Sequence, residues 1–410
     1  MTSSSQHGTD MRETLGLYVH VPFCELKCSY CDFNSYAGLE GLMGPYVDAL
    51  CLELELWGQA MGRQRVATVF FGGGTPSLLS LPLLERVLEA AAGAFVLGPG
   101  CEVTLEANPG TVDRDYLRGL RSLGVDRLSL GVQSLHDDEL RWLDRLHSAA
   151  DAVTAYRWAR EAGFHSVNLD LIFGLPGQPL ERWQKTLEGA LALGPDHLSL
   201  YALTVEKGTK LAADIARGWT PPPDEDAQAA MYEWSRERLA VAGYEHYEIS
   251  NWARPGHRSR HNLTYWEGRP YLGVGAGAHS FLTAGDAGLR FADVYSPRQY
   301  VRRVEETARR GVQPGPLGDV LGAMRQVAFV EELAPPLMMA EALILGLRLT
   351  EGVALATFEE RFGVGLLERY GPAVAELMEL GLLELSDGHL RLTPRGLLLA
   401  NEVFVRVLEV

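Results

Sequence analysis

Three cysteines near the start of the chain have a spacing that suits a metal cluster. Cys24, Cys28 and Cys31 form the pattern C-x3-C-x2-C directly after a short apolar run. A structural zinc ion prefers a fourth protein ligand nearby, and neither Asp32 nor Phe33 is a usual one. Three thiolates that leave one corner open favour a 4Fe–4S cluster whose fourth iron takes an outside ligand. A zinc site and three unrelated buried thiols are the alternatives.

A glycine triplet, Gly72–Gly74, follows the second apolar run and precedes Thr75. Glycine lets backbone N–H and C=O groups approach a ligand closely. A plain tight turn has the same sequence, so the triplet alone does not define a site.

Single polar residues interrupt or end the next apolar runs. Glu106 and Gln133 end the third and fourth runs, and Asp170 lies within the fifth. A charged group inside an apolar strand is costly to bury unless it is paired. Singly, each fits a satisfied structural group, but together with Arg145 they predict one shared polar cavity.

A basic and aromatic stretch within an acidic protein is the third candidate site. Its polar and aromatic residues are Arg258, Arg260, His261, Asn262, Tyr265 and Trp266. Guanidinium groups hold carboxylates, aromatic rings stack on flat ligands, and a neutral imidazole ligates iron. These groups suit a planar porphyrin with several carboxylates. The alternative is a solvated loop that covers the open end of an α/β barrel.

The elements that must position these residues alternate regularly. Strand-like runs are predicted at 15–21, 66–71, 103–107, 127–132, 166–173 and 197–203, with helical spacing at 46–61, 81–92, 114–123, 149–162 and 181–193. Such alternation predicts βαβ units and a parallel sheet, either doubly wound or part of a (β/α) barrel. In both cases ligands gather at the carboxyl ends of the strands.

Beyond the barrel segments, Pro221–Gly243 is predicted to form a helix. Past Pro335 the chain is predicted to form three helices, 338–349, 354–362 and 366–380, and a two-stranded piece near Ser386. That order predicts a small, mainly helical winged-helix-like domain. The segment from Pro335 to Val410 has six Arg against eleven Asp or Glu, so DNA binding lacks its basic footprint.

Composition excludes several classes of function. The 410 residues carry a net charge of −16, which disfavours nucleic acid and anionic membranes as partners. No apolar run is long enough to span a membrane, and the polar start lacks a signal-peptide core. Five cysteines are too few for a disulfide framework in a chain this long. We expect a cytoplasmic protein.

The cysteine loop, placed after the first strand of a partial barrel, resembles the radical S-adenosylmethionine (SAM) superfamily. The resemblance implies a 4Fe–4S cluster on Cys24, Cys28 and Cys31, with SAM bound at the open iron. By likeness to the coproporphyrinogen-oxidase branch, the SAM contacts are Tyr18, Tyr30, Gly73, Gly74, Thr75, Glu106, Gln133, Arg145 and Asp170.

The run His261-Asn262-Leu-Thr-Tyr265-Trp266 matches the H-N-x-x-Y-W motif of radical SAM heme chaperones, HemW-type proteins. Coproporphyrinogen oxidases carry a further cysteine two residues after the third, where this chain has Phe33. The resemblance therefore implies a protein that binds heme and passes it to an acceptor such as a respiratory cytochrome. His261 is the expected heme contact, Tyr265 and Trp266 would pack the ring, and a homodimer is plausible from the family alone.

Two other functions stay open. One is anaerobic oxidative decarboxylation of coproporphyrinogen III, and the other is a radical SAM methyltransferase, so the chain is not assigned as an enzyme. The expected architecture is α/β: a flexible tail at 1–13, a partial (β/α)6-type barrel at 14–220, a barrel-covering region with the heme motif at 221–334, and the winged-helix-like domain at 335–410.

Overall fold

A computed structural model describes residues 14–284 and 287–408 of the chain; the tail predicted at 1–13 lies outside the described residues. The strands are β1 Leu15–Val21, β2 Phe23–Cys24, β3 Tyr36–Ala37, β4 Arg65–Gly73, β5 Val96–Ala107, β6 Arg127–Gln133, β7 Ser166–Phe173, β8 His197–Ala202, β9 Glu245–Glu248, β10 Asn251–Ala253, β11 Tyr271–Val274, β12 His279–Ala284, β13 Ala287–Asp293, β14 Val327–Leu333, β15 Val353–Ala354, β16 Leu383–Ser386 and β17 His389–Leu392.

The helices alternate with the strands through the first half of the chain. They are α1 Met43–Met61, α2 Leu81–Ala94, α3 Arg114–Ser122, α4 Asp137–Trp142, α5 Ala149–Ala162, α6 Leu180–Leu193, α7 Lys210–Ala216, α8 Glu225–Val241, α9 Arg260–Trp266, α10 Pro297–Arg310, α11 Leu317–Ala323, α12 Pro335–Gly346, α13 Leu355–Phe362, α14 Leu366–Glu379, α15 Pro394–Leu398 and α16 Ala400–Leu408.

Twelve strands form one open mixed sheet in the order β14-β13-β12-β11-β1-β4-β5-β6-β7-β8-β10-β9. Six of these strands pair in parallel with their neighbours, which confirms the predicted (β/α)6-type architecture. They are β1, β4, β5, β6, β7 and β8. The parallel run is extended by β11, which also pairs in parallel with β1. The remaining strands add antiparallel flanks, which the sequence analysis did not anticipate.

The barrel strands are buried on both faces, as their continuous apolar runs predict. In β7, for example, Leu169 and Leu171 are fully buried in the core, whereas the alternate residues Asn168, Asp170 and Ile172 line cavities. Leu187 of α6 and Ala155 of α5 belong to the same apolar core. The fold thus holds each strand end rigidly, so that residues at neighbouring strand ends face one common space.

The helix predicted from Pro221 starts later than expected. Its first residue is Glu225, because the Asp224 side chain accepts a hydrogen bond from the Ala227 N–H and caps the helix there. Prolines 221–223 precede the cap instead of occupying the first turn, so the proline-start interpretation was wrong at this end.

The C-terminal segment is mainly helical, as predicted, and contains a three-stranded sheet in the order β15-β17-β16. Its first helix, α12, packs on α9 and β13. Leu349, just after α12, forms an antiparallel bridge with Glu248 of β9. The winged-helix-like segment therefore covers one edge of the large sheet. No helix of residues 14–284 and 287–408 is both long and apolar enough to cross a membrane.

Candidate functional site

Two cavities meet inside the parallel sheet. The upper cavity, about 430 Å³, opens at the carboxyl ends of the strands and is lined by the three predicted cluster cysteines. The lower cavity, about 210 Å³, lies toward the amino ends and is lined by residues of α9. The residues that line both are Glu106, Ser129, Asp170 and Tyr201.

The cysteine loop is closed at its base by a two-stranded pair. Phe23 and Cys24 of β2 pair in parallel with Tyr36 and Ala37 of β3. Within the loop, the Lys27 ammonium donates to the Phe33 carbonyl at 3.0 Å. The loop therefore has a fixed base, although the thiols of Cys24, Cys28 and Cys31 are all partly open to solvent.

The loop is also tied to the segment after β6. The Ser29 N–H donates to the Asp144 carboxylate at 3.0 Å, and a guanidinium nitrogen of Arg145 lies 3.8 Å from the Cys28 Sγ. On the other side, the Thr75 hydroxyl lies 3.6 Å from the Cys24 Sγ. Residues distant in sequence thus surround the thiols on two sides.

Burial raises the pKa of the Cys31 thiol, and the neighbouring thiols of Cys28 and Cys24 add to that rise. Within the described part of the chain, no three His, Cys, Asp or Glu side chains are grouped closely enough to form a ready metal site. The three cysteines instead line one cavity. Three thiolates suit a 4Fe–4S cluster, but the loop would have to close further to bring all three sulfurs to it.

The glycine triplet has a packing reason as well as a place at the cavity wall. The Gly74 N–H donates to the Val21 carbonyl at 2.8 Å, and the Gly73 N–H donates to a Glu106 carboxylate oxygen at 3.2 Å. A Cβ at Gly74 would lie 2.6 Å from the Phe23 carbonyl oxygen, and Gly73 has a φ of +110°. Any side chain at these positions would disrupt the contact between β4 and the base of the cysteine loop.

Three residues that line the upper cavity have a buried polar atom without a hydrogen-bond partner: Ser35, through its Oγ, and two residues on and after β6, through Gln133 Oε1 and Arg145 Nε. Gln133 adopts a left-handed conformation with φ of 66°, where the pairing of β6 with β7 shifts register. Backbone strain and unpaired buried polar atoms both carry a free-energy cost that ligand sites often retain. These atoms indicate that the cavity is shaped for a polar ligand such as SAM.

Two carboxylates form the floor of the upper cavity. Burial raises the pKa of Glu106 to about 8, with a further contribution from the Asp170 carboxylate. Burial also raises the pKa of Asp170, although hydrogen bonds from Ser129 and Asn168 oppose the rise. The floor can therefore keep a proton on Glu106 at neutral pH and accept donors from a ligand above it.

Eight of the nine residues assigned to SAM by resemblance line the upper cavity, and Tyr18 is the exception. The Tyr18 hydroxyl hydrogen-bonds His20 Nδ1 at 3.0 Å, and its ring stacks on Phe70 at 6.2 Å. Tyr18 lines the lower cavity instead.

The lower cavity contains a polar network that the sequence analysis missed. The Asn168 amide donates to Asp170 at 2.8 Å, and its oxygen lies 2.7 Å from His197 Nδ1. His197 Nε2 in turn lies 2.8 Å from the Tyr247 hydroxyl. That hydroxyl accepts a hydrogen bond from the N–H of Ser259, the N-cap residue of α9. One sequence feature could have predicted this network: His197 is a polar residue at the first position of a strand, β8.

His261 is buried inside the barrel, with 1% of its surface exposed. Its Nδ1 lies 2.8 Å from the Thr68 hydroxyl and its Nε2 lies 2.8 Å from the Tyr265 hydroxyl. Burial lowers the pKa of this imidazole to about 3. Since both ring nitrogens are engaged, His261 cannot coordinate an iron in this conformation.

The other residues of the basic and aromatic stretch do not gather around one ligand. Arg258 pairs with Glu245 at 3.3 Å, and the Arg260 guanidinium donates to the Gly100 carbonyl. The Trp266 ring lies 4.3 Å from the Arg348 guanidinium, whereas Asn262 lines the lower cavity. The structure thus brings the predicted cluster cysteines together with eight of the nine predicted SAM residues, whereas of the predicted heme residues only His261, Asn262 and Tyr265 share a cavity.

Large apolar side chains surround the upper cavity and remain exposed. Leu26 is 45% exposed, and Phe33 and Leu146 are each 62% exposed. All three line the cavity. An exposed apolar patch around a cavity is typical of a binding surface. Phe33 therefore belongs to the rim, where it is available to a flat apolar ligand.

Comparison with known proteins identifies the same two segments. The profile described as Radical SAM superfamily matches residues 18–190, and the profile of the HemN C-terminal domain matches residues 333–399. A solved structure, coproporphyrinogen III oxidase (HemN) from Escherichia coli, a radical SAM enzyme by its title, superposes with a TM-score of 0.79 at 24% identity. The match covers 97% of this chain and 90% of that one, and it shows the fold.

Several curated relatives align over most of their length. The heme chaperone HemW of Mycobacterium tuberculosis strain H37Rv is 39% identical over 95% of this chain and 94% of its own. The heme chaperone HemW of Bacillus subtilis strain 168 is 36% identical over 94% and 97%. That of Escherichia coli strain K12 is 41% identical over 73% and 79%.

Proposed function

The chain belongs to the HemW family of radical SAM proteins, and from that premise we propose that it binds heme and transfers it to an acceptor protein. A 4Fe–4S cluster and exchangeable SAM would occupy the upper cavity. One observation supports the cofactor half above all others: the three cysteines, two glycines of the triplet and four polar residues line the same 430 Å³ cavity, the polar residues being Glu106, Gln133, Arg145 and Asp170.

In this proposal Cys24, Cys28 and Cys31 hold the cluster and leave one iron open. When bound, the cluster and SAM supply one-electron chemistry at the SAM sulfonium, which is chemistry of the cofactor rather than of the protein. The protein itself would bind the cluster and SAM and orient them. Arg145, 3.8 Å from the Cys28 sulfur, would offset the negative charge of the thiolates.

The remaining wall would hold SAM. Gly73, Gly74 and Thr75 would offer backbone carbonyls rather than N–H groups, because their N–H groups already donate to Glu106, Val21 and Phe23. The unpaired Gln133 Oε1 and Arg145 Nε would gain partners in a polar ligand. Glu106 and Asp170 below them would accept hydroxyl or amine donors. SAM offers donors and acceptors of each of these kinds.

For heme, the exposed rim of Leu26, Phe33 and Leu146 supports docking at the mouth, because a porphyrin ring buries apolar area there. The ammonium of Lys27, on the same loop, would be available to a propionate. Heme coordination by His261 remains a prediction, and it requires α9 to release the hydrogen bonds to Thr68 and Tyr265.

An anaerobic experiment tests the proposal. The protein is purified without oxygen, its cluster is reconstituted, and iron content, heme retention and coproporphyrinogen III decarboxylation are measured on the same preparation. We expect about four irons per chain, stable heme retention and no decarboxylation. Decarboxylation with reductant and SAM would show a coproporphyrinogen oxidase instead. Loss of heme with an intact cluster would contradict the chaperone function but not the cofactor site.

The identity of the acceptor, a respiratory cytochrome in the family expectation, and a homodimeric state are parts of the same proposal. So is a cytoplasmic location. Mixing heme-loaded protein with an apo-cytochrome and following the absorption spectrum tests transfer. Sedimentation velocity with and without the reconstituted cluster tests the oligomeric state.

A further inference from the structure

The two edges of the large sheet are treated differently. At one edge, β9 is covered: the Thr350 N–H donates to the Tyr247 carbonyl, and Glu248 bridges Leu349. At the other edge, β14 pairs with β13, and no further strand of the described residues pairs with it. An uncovered edge strand offers backbone groups to any extended chain.

The uncovered edge is apolar where it is most open. Ala328, Phe329 and Val330 are consecutive exposed residues, with Phe329 46% and Val330 49% exposed. An open edge strand of this kind is an aggregation hazard unless something covers it. Natural edge strands usually carry a lysine, a proline or a bulge-driven twist there, and these three positions carry no charge.

A groove runs beside this strand. Helices α10 and α11 and strand β14 enclose a cavity of about 690 Å³. Arg302 and Arg303 of α10 and Arg325, just before β14, line it together with one carboxylate, Glu306. The groove therefore combines an open strand edge with a basic wall.

The positive charge of the groove is local. Three arginines and one glutamate line the groove, a formal charge of +2 in a chain whose net charge is −16, and the acidic residues of the edge strand, Glu331 and Glu332, lie beyond the groove lining. Arg302 lies 3.8 Å from Glu306, and Arg303 donates to the Arg325 carbonyl at 3.3 Å. Among the described residues, Arg303 and Arg325 have no carboxylate within ion-pairing distance.

We propose that this groove binds an acidic, extended segment of a partner protein, which adds a strand along β14 and directs carboxylates toward Arg302 and Arg325. Main-chain hydrogen bonds would supply affinity and the arginines would select acidic sequences. The inference does not depend on the cluster, SAM or heme.

The test uses fluorescence anisotropy with a labelled ten-residue peptide of alternating Glu and Val. A Lys–Val peptide of equal length is the charge control, and a Glu–Val peptide with alternate N-methylated amides is the backbone control. We expect the Glu–Val peptide to bind at least tenfold more tightly than either control, and its affinity to fall as salt rises. Equal affinity for all three peptides, or no binding of the Glu–Val peptide, would overturn the proposal.

Two protein variants locate the site. The double variant R302E/R325E should bind the Glu–Val peptide at least tenfold more weakly, whereas R65E/R157E, exposed arginines of β4 and α5, should bind it normally. Phe329→Ser tests the apolar edge without a charge change and should also weaken binding. If R302E/R325E binds as wild type does, the groove is not the site. If the protein alone forms a dimer that Phe329→Ser abolishes, the occupant is a second copy and the proposal is wrong.

Discussion

The upper and lower cavities lie in the same barrel and share Glu106 and Asp170, yet they differ in how their polar groups are satisfied. At the upper cavity, Gln133 Oε1 and Arg145 Nε are buried without partners. At the lower cavity, both ring nitrogens of His261 are hydrogen-bonded within the protein. A buried polar atom without a partner destabilises the fold unless a ligand supplies one. The difference supports the proposal that a ligand binds in the upper cavity, while the hydrogen bonds of His261 stabilise the protein around the lower one.

The same cause, burial, keeps an acidic and a basic side chain of this region neutral by shifting their pKa values in opposite directions. Burial raises the pKa of Glu106 to about 8 and lowers that of His261 to about 3, so both side chains are held uncharged near neutral pH. The contrast in hydrogen bonding between the cavities has an exception in Thr104 Oγ1, which lines the lower cavity without a partner. Leaving this one hydroxyl unpaired costs less free energy than leaving the buried groups of Gln133 and Arg145 unpaired.

The largest expected difference between the cavities is in iron binding. Cys28→Ala should lose nearly all iron after anaerobic reconstitution, because two thiolates cannot hold the cluster against exchange with solvent. Cys51→Ala is the matched control, since Cys51 lies on α1 outside the upper cavity. Iron and sulfide analysis with the visible absorption spectrum measures the result. Full iron content in Cys28→Ala would remove the cluster from this loop.

The second prediction concerns stability and belongs to the lower cavity. His261→Ala should lower the free energy of unfolding by about 2–4 kcal/mol, because it leaves a void and unpairs Thr68 and Tyr265. Urea unfolding measures the loss, and iron content should stay at the wild-type value. Thr68→Val, which removes one of the two hydrogen bonds, should cost less.

The same site offers a direct check on the heme prediction. His261→Gln keeps hydrogen-bonding capacity and should remain folded. If this variant retains heme with an unchanged spectrum, the imidazole is a structural group. A folded His261→Gln protein that loses heme would instead support an iron contact, and it would show that α9 leaves the position seen in the structure.

The contrast also shows what the sequence could predict. Spacing placed Glu106, Gln133 and Asp170 at one cavity because the ends of parallel strands converge, and the structure brings them together. The orientation of α9 could not be predicted in the same way. Whether His261 faces a ligand or the barrel interior depends on its partners, Thr68 and Tyr265, one of which is almost two hundred residues away.

The flanking sheet was missed for a related reason. Strands β11 to β14 are short or irregular, and their pairing order is set by tertiary contacts rather than by local pattern. The basic groove beside β14 was not predicted, because the predictions were based on clusters of chemically reactive residues. Arginines spread over one helix and one loop become a cluster only after folding.

The third prediction uses pH. A carboxyl whose pKa is near 4.5 unfolded and about 8 folded binds more protons in the folded state, so stability falls as pH rises through that window. The slope is at most about 1.4 kcal/mol per pH unit. Glu106→Gln should flatten the dependence between pH 4.5 and 8, whereas the exposed control Glu85→Gln should not. Urea unfolding at several pH values measures it.

His261 should give the opposite limb of the same profile. Its pKa is 6.5 in an ordinary environment and about 3 here, so the unfolded chain takes up the proton first and stability falls as pH drops through that range. Between pH 4.5 and 6.5 the two groups contribute with opposite signs, so His261→Gln should flatten the slope from pH 3 to 4.5 and leave the slope from pH 6.5 to 8 unchanged. A changed slope above pH 6.5 in this variant would show that the two groups are electrostatically coupled.

The smallest expected effect tests the rim of the upper cavity. Phe33 is 62% exposed, so Phe33→Ser should leave the free energy of unfolding nearly unchanged. If heme docks at the mouth, the lost apolar contact should weaken heme binding by roughly 5- to 30-fold, which corresponds to about 1–2 kcal/mol of lost burial free energy. Phe329→Ser, equally apolar but on β14, is the control and should retain heme normally. Heme titration followed by absorption separates the two variants, and equal affinities would place the heme away from the mouth, leaving the interior site at His261 as the one to test.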